Sequence, residues 1–151
     1  MKGYLHKVQY YETDRMGVVH HSNYIRWMEE ARIDLMTRVG LPYTMLEKEG
    51  LISPVVRVDC SYKYPCRFGD VVTVKPILQQ YKGARFTFAY KMYLADGTLV
   101  SEAESTHCFT DQNGRPISLQ RKRPDLYEKL AALIGTDVYE EESLWIKTKV
   151  N

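Results

Sequence analysis

Between Tyr24 and Val39 apolar side chains recur three or four positions apart, at Tyr24, Trp27, Met28, Ala31, Leu35 and Val39, while Arg26, Glu29, Glu30, Asp34 and Arg38 fall mainly on the other side. That spacing predicts an amphipathic helix. Ser22 and Asn23 offer side-chain oxygens to cap its first turn, and Gly40 with Pro42 stops it, so the helix is expected over about Asn23–Val39. From Val56 the period becomes two: Val56, Val58, Cys60, Tyr62 and Tyr64 face one way and Arg57, Asp59, Ser61 and Lys63 the other, as in a strand with one buried face. Further strands are expected at Val71–Gln79, around Phe86, Phe88, Tyr90, Met92 and Leu94, and at Leu99–Thr110. The connections "CRFGD", "YKGAR", "ADGT" and "DQNGRP" carry turn residues, including the Asp-Gly and Asn-Gly pairs of tight hairpins. Tyr4–Tyr11 predicts a short strand, "TMLEKEGLISPVV" a helical turn and a connection, and Pro124–Ile134 a last helix.

One face of the last strand, Leu99, Ser101, Ala103, Ser105, His107 and Phe109, is small in its middle, which leaves room for a helix carrying the bulk of Trp27 and Met28. A strand, a helix and four antiparallel strands together predict an α+β fold with one sheet packed on one helix. The expected domain runs from 1 to 135. The tail 136–151 mixes a glutamate run with Leu144, Trp145 and Ile146 and gives no firm assignment.

Composition narrows the function classes. A chain of 151 residues, 44% hydrophobic, suits one domain with a substantial core. Its 21 basic and 19 acidic residues are interspersed, so no broad field favours nucleic acid or a membrane surface. Cys60, Cys66 and Cys108 match no zinc spacing and cannot all pair within one chain, which fits reduced thiols. The start "MKGYLHKVQYYETD" has no apolar signal region and no apolar run reaches membrane-spanning length, so a cytoplasmic protein without membrane insertion is expected.

The stretch "TDRMGVVHHSNY" followed by "EEAR" resembles the signature of the 4-hydroxybenzoyl-CoA thioesterase family, the hot-dog-fold acyl-CoA thioesterases. The match runs through Thr13, Asp14, Gly17, Val18, Val19, His21, Asn23, Tyr24, Glu29, Ala31 and Arg32. "YPCRFGD" resembles the family's turn after the helix, and "GRPISL" its last-strand exit. The resemblance implies an antiparallel sheet wrapped around a long central helix, a homodimer or homotetramer with active sites between subunits, an acyl-CoA or acyl carrier protein thioester as substrate, and no cofactor or metal.

Thioester hydrolysis needs a polarised carbonyl, an attacking water or carboxylate, and a site for the developing oxyanion, which free N–H groups at a helix N-terminus supply. Asp14 precedes the predicted helix closely enough for its loop to fold beside that end. Its carboxylate can deprotonate water or attack carbon directly, and the sequence leaves both open. Gly17 would let backbone approach the thioester. By resemblance the His21 backbone N–H is the carbonyl donor and its side chain positions substrate or water. Val19, His20, Asn23 and Tyr24 are the expected substrate-binding residues beside it, Tyr24 near the acyl group and His20 equally readable as pocket wall.

Arg57, Lys63, Arg67, Lys82, Arg85 and Arg115 are candidates for CoA phosphates, Lys82 and Arg85 beside Gly83 being the preferred pair. Glu29 and Arg32 read either as support for the site or as a helix-surface ion pair. His107 reads as a satisfied core histidine. Adjacent histidines rarely share one ion, which weighs against a metal held by Asp14, His20 and His21. No nucleophile elbow or phosphate-binding glycine loop occurs, and Cys60 shows no local activator. The alternatives are a hydratase or dehydratase of acyl thioesters and a non-catalytic acyl-thioester-binding module.

Overall fold

The computed structural model describes residues 1–141. Its framework is one five-stranded antiparallel sheet built from β1 (Tyr4–Lys7), β2 (Val55–Tyr62), β3 (Val71–Lys82), β4 (Arg85–Leu94) and β5 (Leu99–Cys108), in the order β1-β3-β4-β5-β2. The helices are α1 (Ser22–Arg38), α2 (Tyr43–Lys48), α3 (Leu119–Lys122) and α4 (Pro124–Ala131). The α1 helix has 17 residues, about 25 Å at 1.5 Å per residue. It buries Tyr24, Trp27, Met28, Ala31, Leu35 and Met36 together with Val72, Val74, Phe88, Tyr90 and Met92 of β3 and β4 in one core cluster.

The expected alternation holds on β4, where Phe86, Phe88, Tyr90 and Met92 are all buried, and on β5, where Ser101, Ala103, Ser105, His107 and Phe109 lie inside. Two expectations change. The N-terminal strand stops at Lys7, and Tyr10–Glu12 forms a 3-10 turn instead. On β2 only Val58 and Cys60 are partly covered, while Val56 and Tyr62 are exposed, because among the described residues this strand is an edge paired only to β5.

The small middle of β5 also meets something other than Trp27. That ring packs on His6 and Tyr24, whereas the α1 group that reaches His107 is the Arg32 guanidinium, 3.3 Å from Nε2. The core continues beyond residue 135: Val138 and Tyr139 are buried, the Tyr139 hydroxyl donates to Asp34, and Lys75 pairs with Asp137 at 2.7 Å. Leu144, Trp145 and Ile146 lie outside the described residues. No helix among the described residues is long and apolar enough to cross a membrane.

Candidate active site

Asp14 sits in a five-residue loop closed at its base by the Thr13–Val19 bridge. Within the loop the Asp14 N–H donates to the Val18 carbonyl at 2.8 Å and the Gly17 N–H to the Asp14 carbonyl at 3.0 Å. Gly17 has φ +77°, the left-handed conformation that closes this turn and that side-chain-bearing residues rarely adopt. An added Cβ there would meet only the end of Arg67, at 3.9 Å. Its backbone angle is thus by itself a reason for glycine at this position, whether or not substrate also comes close. Arg67 braces the loop from outside, its Nη1 3.5 Å from the Gly17 carbonyl.

The loop delivers Asp14 into a cleft of about 310 Å³ lined by Val19, His21 and Tyr24 at the start of α1 and by Tyr62, Lys63 and Tyr64 at the end of β2. One Asp14 oxygen, Oδ1, accepts the Met16 N–H at 2.8 Å. Among the described residues Oδ2 has no hydrogen-bond partner. Tyr62, read from the sequence only as a strand residue, belongs to the site: its hydroxyl donates to the His21 carbonyl at 3.1 Å and its ring meets Tyr24 edge to face at 5.0 Å. Burial, then the nearby Cys60, pushes the Tyr62 hydroxyl up to about 12, and burial raises that of Tyr24 further. Both phenols are neutral hydrogen-bonding groups across the physiological range.

The start of α1 differs in detail from the expected capping. Neither Ser22 nor Asn23 caps it. His20 does: its Nδ1 takes the Ser22 N–H at 3.2 Å and lies 2.8 Å from the Ser22 hydroxyl, while its ring packs at a tilt against His21. Asn23 is buried and its amide donates to the Glu12 carbonyl at 2.9 Å, which directs it into the protein and away from the cleft. His21 is the exposed N-cap residue, and among the described residues its backbone N–H meets no acceptor. An N–H so placed can donate to a bound oxygen.

Asp14, Val19, His21 and Tyr24 are thus brought together, and Gly17 shapes the loop that carries Asp14. Lys82 and Arg85 are not. They face each other across the β3–β4 hairpin beside Cys108, whereas Tyr62 pairs with Ser101. Seven residues along β5 separate the two ends, about 23 Å at 3.3 Å per residue. Lys63 lines the cleft and Arg67 braces its loop.

Glu29 and Arg32 form no surface pair. Arg32 is buried, with Nε donating to the Tyr43 hydroxyl at 2.8 Å and Nη1 near Tyr90 and His107. His107 is satisfied on one side only: Nε2 lies 2.7 Å from the Ser105 hydroxyl, and buried Nδ1 has no partner among the described residues. Burial, then Arg32, lowers it to about 3, so it stays neutral. All three cysteines are free thiols. Among the described residues no group of three His, Cys, Asp or Glu side chains is arranged to hold a metal ion.

Sequence periodicity passed over Glu12. Only 5% exposed, it accepts the Gln9 N–H and His6 Nε2 at Oε1, both at 2.8 Å, and the Trp27 indole N–H at Oε2 at 2.7 Å. Burial pushes its carboxyl up, but these donors outweigh burial and hold it below the usual carboxylate range. The signal was an acidic residue two positions before Asp14 in "YETD". Its partners lie 3, 6 and 15 residues away, before the 3-10 turn, on β1 and on α1, so the periodicity of no single helix or strand groups them.

Comparison with known proteins gives this geometry a family. Residues 8–134 match the model of the thioesterase-like superfamily. YneP of Bacillus subtilis, which carries a provisional acyl-CoA thioesterase name, is 38% identical over 127 residues, covering 82% of this chain and 92% of its own. The crystal structure of a DHNA-CoA thioesterase from Staphylococcus aureus superposes with a TM-score of 0.82 at 31% identity, over 87% of this chain and 89% of that one. A 4-hydroxybenzoyl-CoA thioesterase crystallised with 4-hydroxybenzoyl-CoA shares the fold, with a TM-score of 0.74 at 21% identity over 84% of this chain and 95% of that one. With its five-stranded antiparallel sheet, the chain belongs to the thioesterase-like superfamily of hot-dog-fold proteins.

Proposed function

We propose that this protein hydrolyses acyl-CoA thioesters to the free acid and CoA. The observation that carries the reading is a single cleft holding the Asp14 carboxylate, with one oxygen unengaged, beside the start of α1. The thioester carbonyl oxygen accepts from the His21 backbone N–H, where the positive end of the helix dipole stabilises the oxyanion as carbon becomes tetrahedral. Asp14 acts on that carbon, either by taking a proton from the attacking water or by attacking directly to leave, once CoA has departed, a mixed anhydride that one water hydrolyses to the acid and free Asp14. Collapse of the tetrahedral intermediate expels CoA as the thiolate. Tyr24 and Val19 flank the acyl group. Lys63 and Arg67 are better situated than Lys82 and Arg85 to meet CoA phosphates, and the latter pair would have to come from a second subunit. The relatives' names support the class of substrate and leave acyl length and a carrier-protein thioester open.

Incubation with a panel of acyl-CoAs, following free thiol, tests this. Thiol release is expected. Tight binding without release would instead make the protein an acyl-thioester-binding module, and enoyl-CoA consumed without thiol would indicate a hydratase.

A homodimer or a homotetramer accompanies the reading. The outer edge of β2 is unpaired among the described residues, and Ile52, Val55, Val56, Tyr62 and Tyr64 along it are exposed, the condition under which strands recruit a second copy. Light scattering at micromolar concentration should give a multiple of the 17.6 kDa subunit mass, and a lone subunit would refute it.

A further inference from the structure

Glu12 is engaged through both its backbone and its side chain. Its backbone carbonyl accepts the His20 N–H and the Asn23 amide, both at 2.9 Å, so it ties the outgoing end of the Asp14 loop and the first turn of α1 to the incoming end. Its carboxylate is fixed from the opposite side by Gln9, His6 and the indole of Trp27, a side chain with no exposed surface. The His6 ring is itself held, packed at a tilt against Trp27 with ring centres 4.7 Å apart and 3.3 Å from Glu30, which also accepts the Tyr4 hydroxyl. Asp14 is two residues beyond Glu12, and His21 one residue beyond His20.

We propose that Glu12 is the positioning residue of this site, clamping the Asp14 loop to Trp27 so that the carboxylate and the His21 N–H hold one fixed separation. This rests on the reading of Asp14 given above. A buried carboxylate is costly to keep, and a hydrophobic residue would fill the same space without needing three donors. What a hydrophobic residue lacks is direction: two oxygens meeting donors from β1, the 3-10 turn and α1 fix the loop in three dimensions.

Glu12→Gln isolates that contribution. Glutamine keeps the volume but offers one acceptor oxygen where two are used, so its NH₂ must face either the Trp27 or the Gln9 N–H, donor against donor. A displacement near 1 Å at Asp14 should lower kcat by roughly tenfold to a hundredfold. KM, and the affinity for a non-hydrolysable acyl-CoA thioether, should stay within about threefold.

The decisive measurement repeats Glu12→Gln in an Asp14→Asn background. A residue that acts through Asp14 loses its effect once Asp14 cannot act, so the second loss should be under about threefold. Equal losses in both backgrounds, or lowered thermal stability with unchanged kcat, would overturn the proposal alone. Unchanged turnover in Asp14→Asn by itself would overturn the reading of Asp14 as well, and the two failures are therefore told apart. If Glu12→Gln does not fold, His6→Phe keeps a ring on Trp27 while removing the nitrogen that meets Oε1. It should show the same loss of kcat at constant KM, and unchanged kcat there would equally reject the clamp.

Discussion

Asp14→Asn is expected to lower turnover by about 10²- to 10⁴-fold, the usual contribution of a positioned acid or base, while acyl-CoA binding and thermal stability stay nearly unchanged. The stability half follows from the contacts. Asp14 uses one side-chain oxygen, Oδ1, to accept the Met16 N–H, and an asparagine carbonyl oxygen accepts the same bond. Its backbone bonds to Val18 and Gly17 do not involve the side chain. The catalytic half follows from Oδ2, which meets no donor among the described residues and becomes a neutral amide NH₂, unable to take a proton from water or to attack carbon. Steady-state kinetics with thiol detection, beside a melting curve, measure both. Hydrolysis within about threefold of wild type would remove Asp14 from the chemistry, since the loss expected of a general base is far larger.

Where two periods were clear, the sequence was a good guide. The 3.6-residue stripe ending at Val39 gave a helix within a residue of Ser22–Arg38, and alternation gave β4 its buried Phe86, Phe88, Tyr90 and Met92. Alternation says which residues can face a core, but not whether a core covers them. On β2 nothing among the described residues does so beyond Val58 and Cys60, because strand order makes it an edge.

The site divides along the same line. Asp14, Val19, His21 and Tyr24 come from one short stretch and were found as one cluster. Tyr62 reaches the His21 carbonyl across 41 residues, and Glu12 meets Trp27 across 15, so neither contact has a local signature. Lys82 and Arg85 flank Gly83 as a phosphate site would, but the register of β3, β4 and β5 carries them to the far end of the sheet. Asn23 and His20 show why the cap differs: the Glu12 carbonyl accepts from the Asn23 side-chain amide and holds that residue inside the protein, and the free Ser22 N–H donates to the His20 ring instead.

The Gly17 turn yields the second large effect. Gly17→Val should lower turnover by about a hundredfold, the cost of misplacing a reacting group by roughly 1 Å, with a smaller loss of stability. At φ +77° a β-branched residue is strained by about 1 to 3 kcal/mol, and relaxation toward negative φ would open the Asp14–Gly17 hydrogen bond that shapes the loop. The loop lies outside the core, so the fold can absorb the change, but Asp14 cannot keep its place. Because an added Cβ has only Arg67 within 4 Å, at 3.9 Å, crowding within the chain is not the cause. Gly17→Asn separates the remaining explanations, since asparagine tolerates the left-handed region while carrying a side chain of comparable bulk. Retained turnover in the asparagine variant beside a large loss in the valine variant would establish the backbone angle as the requirement. Equal losses in both would return Gly17 to the role of making room for substrate, and unchanged turnover in both would exclude it from the site.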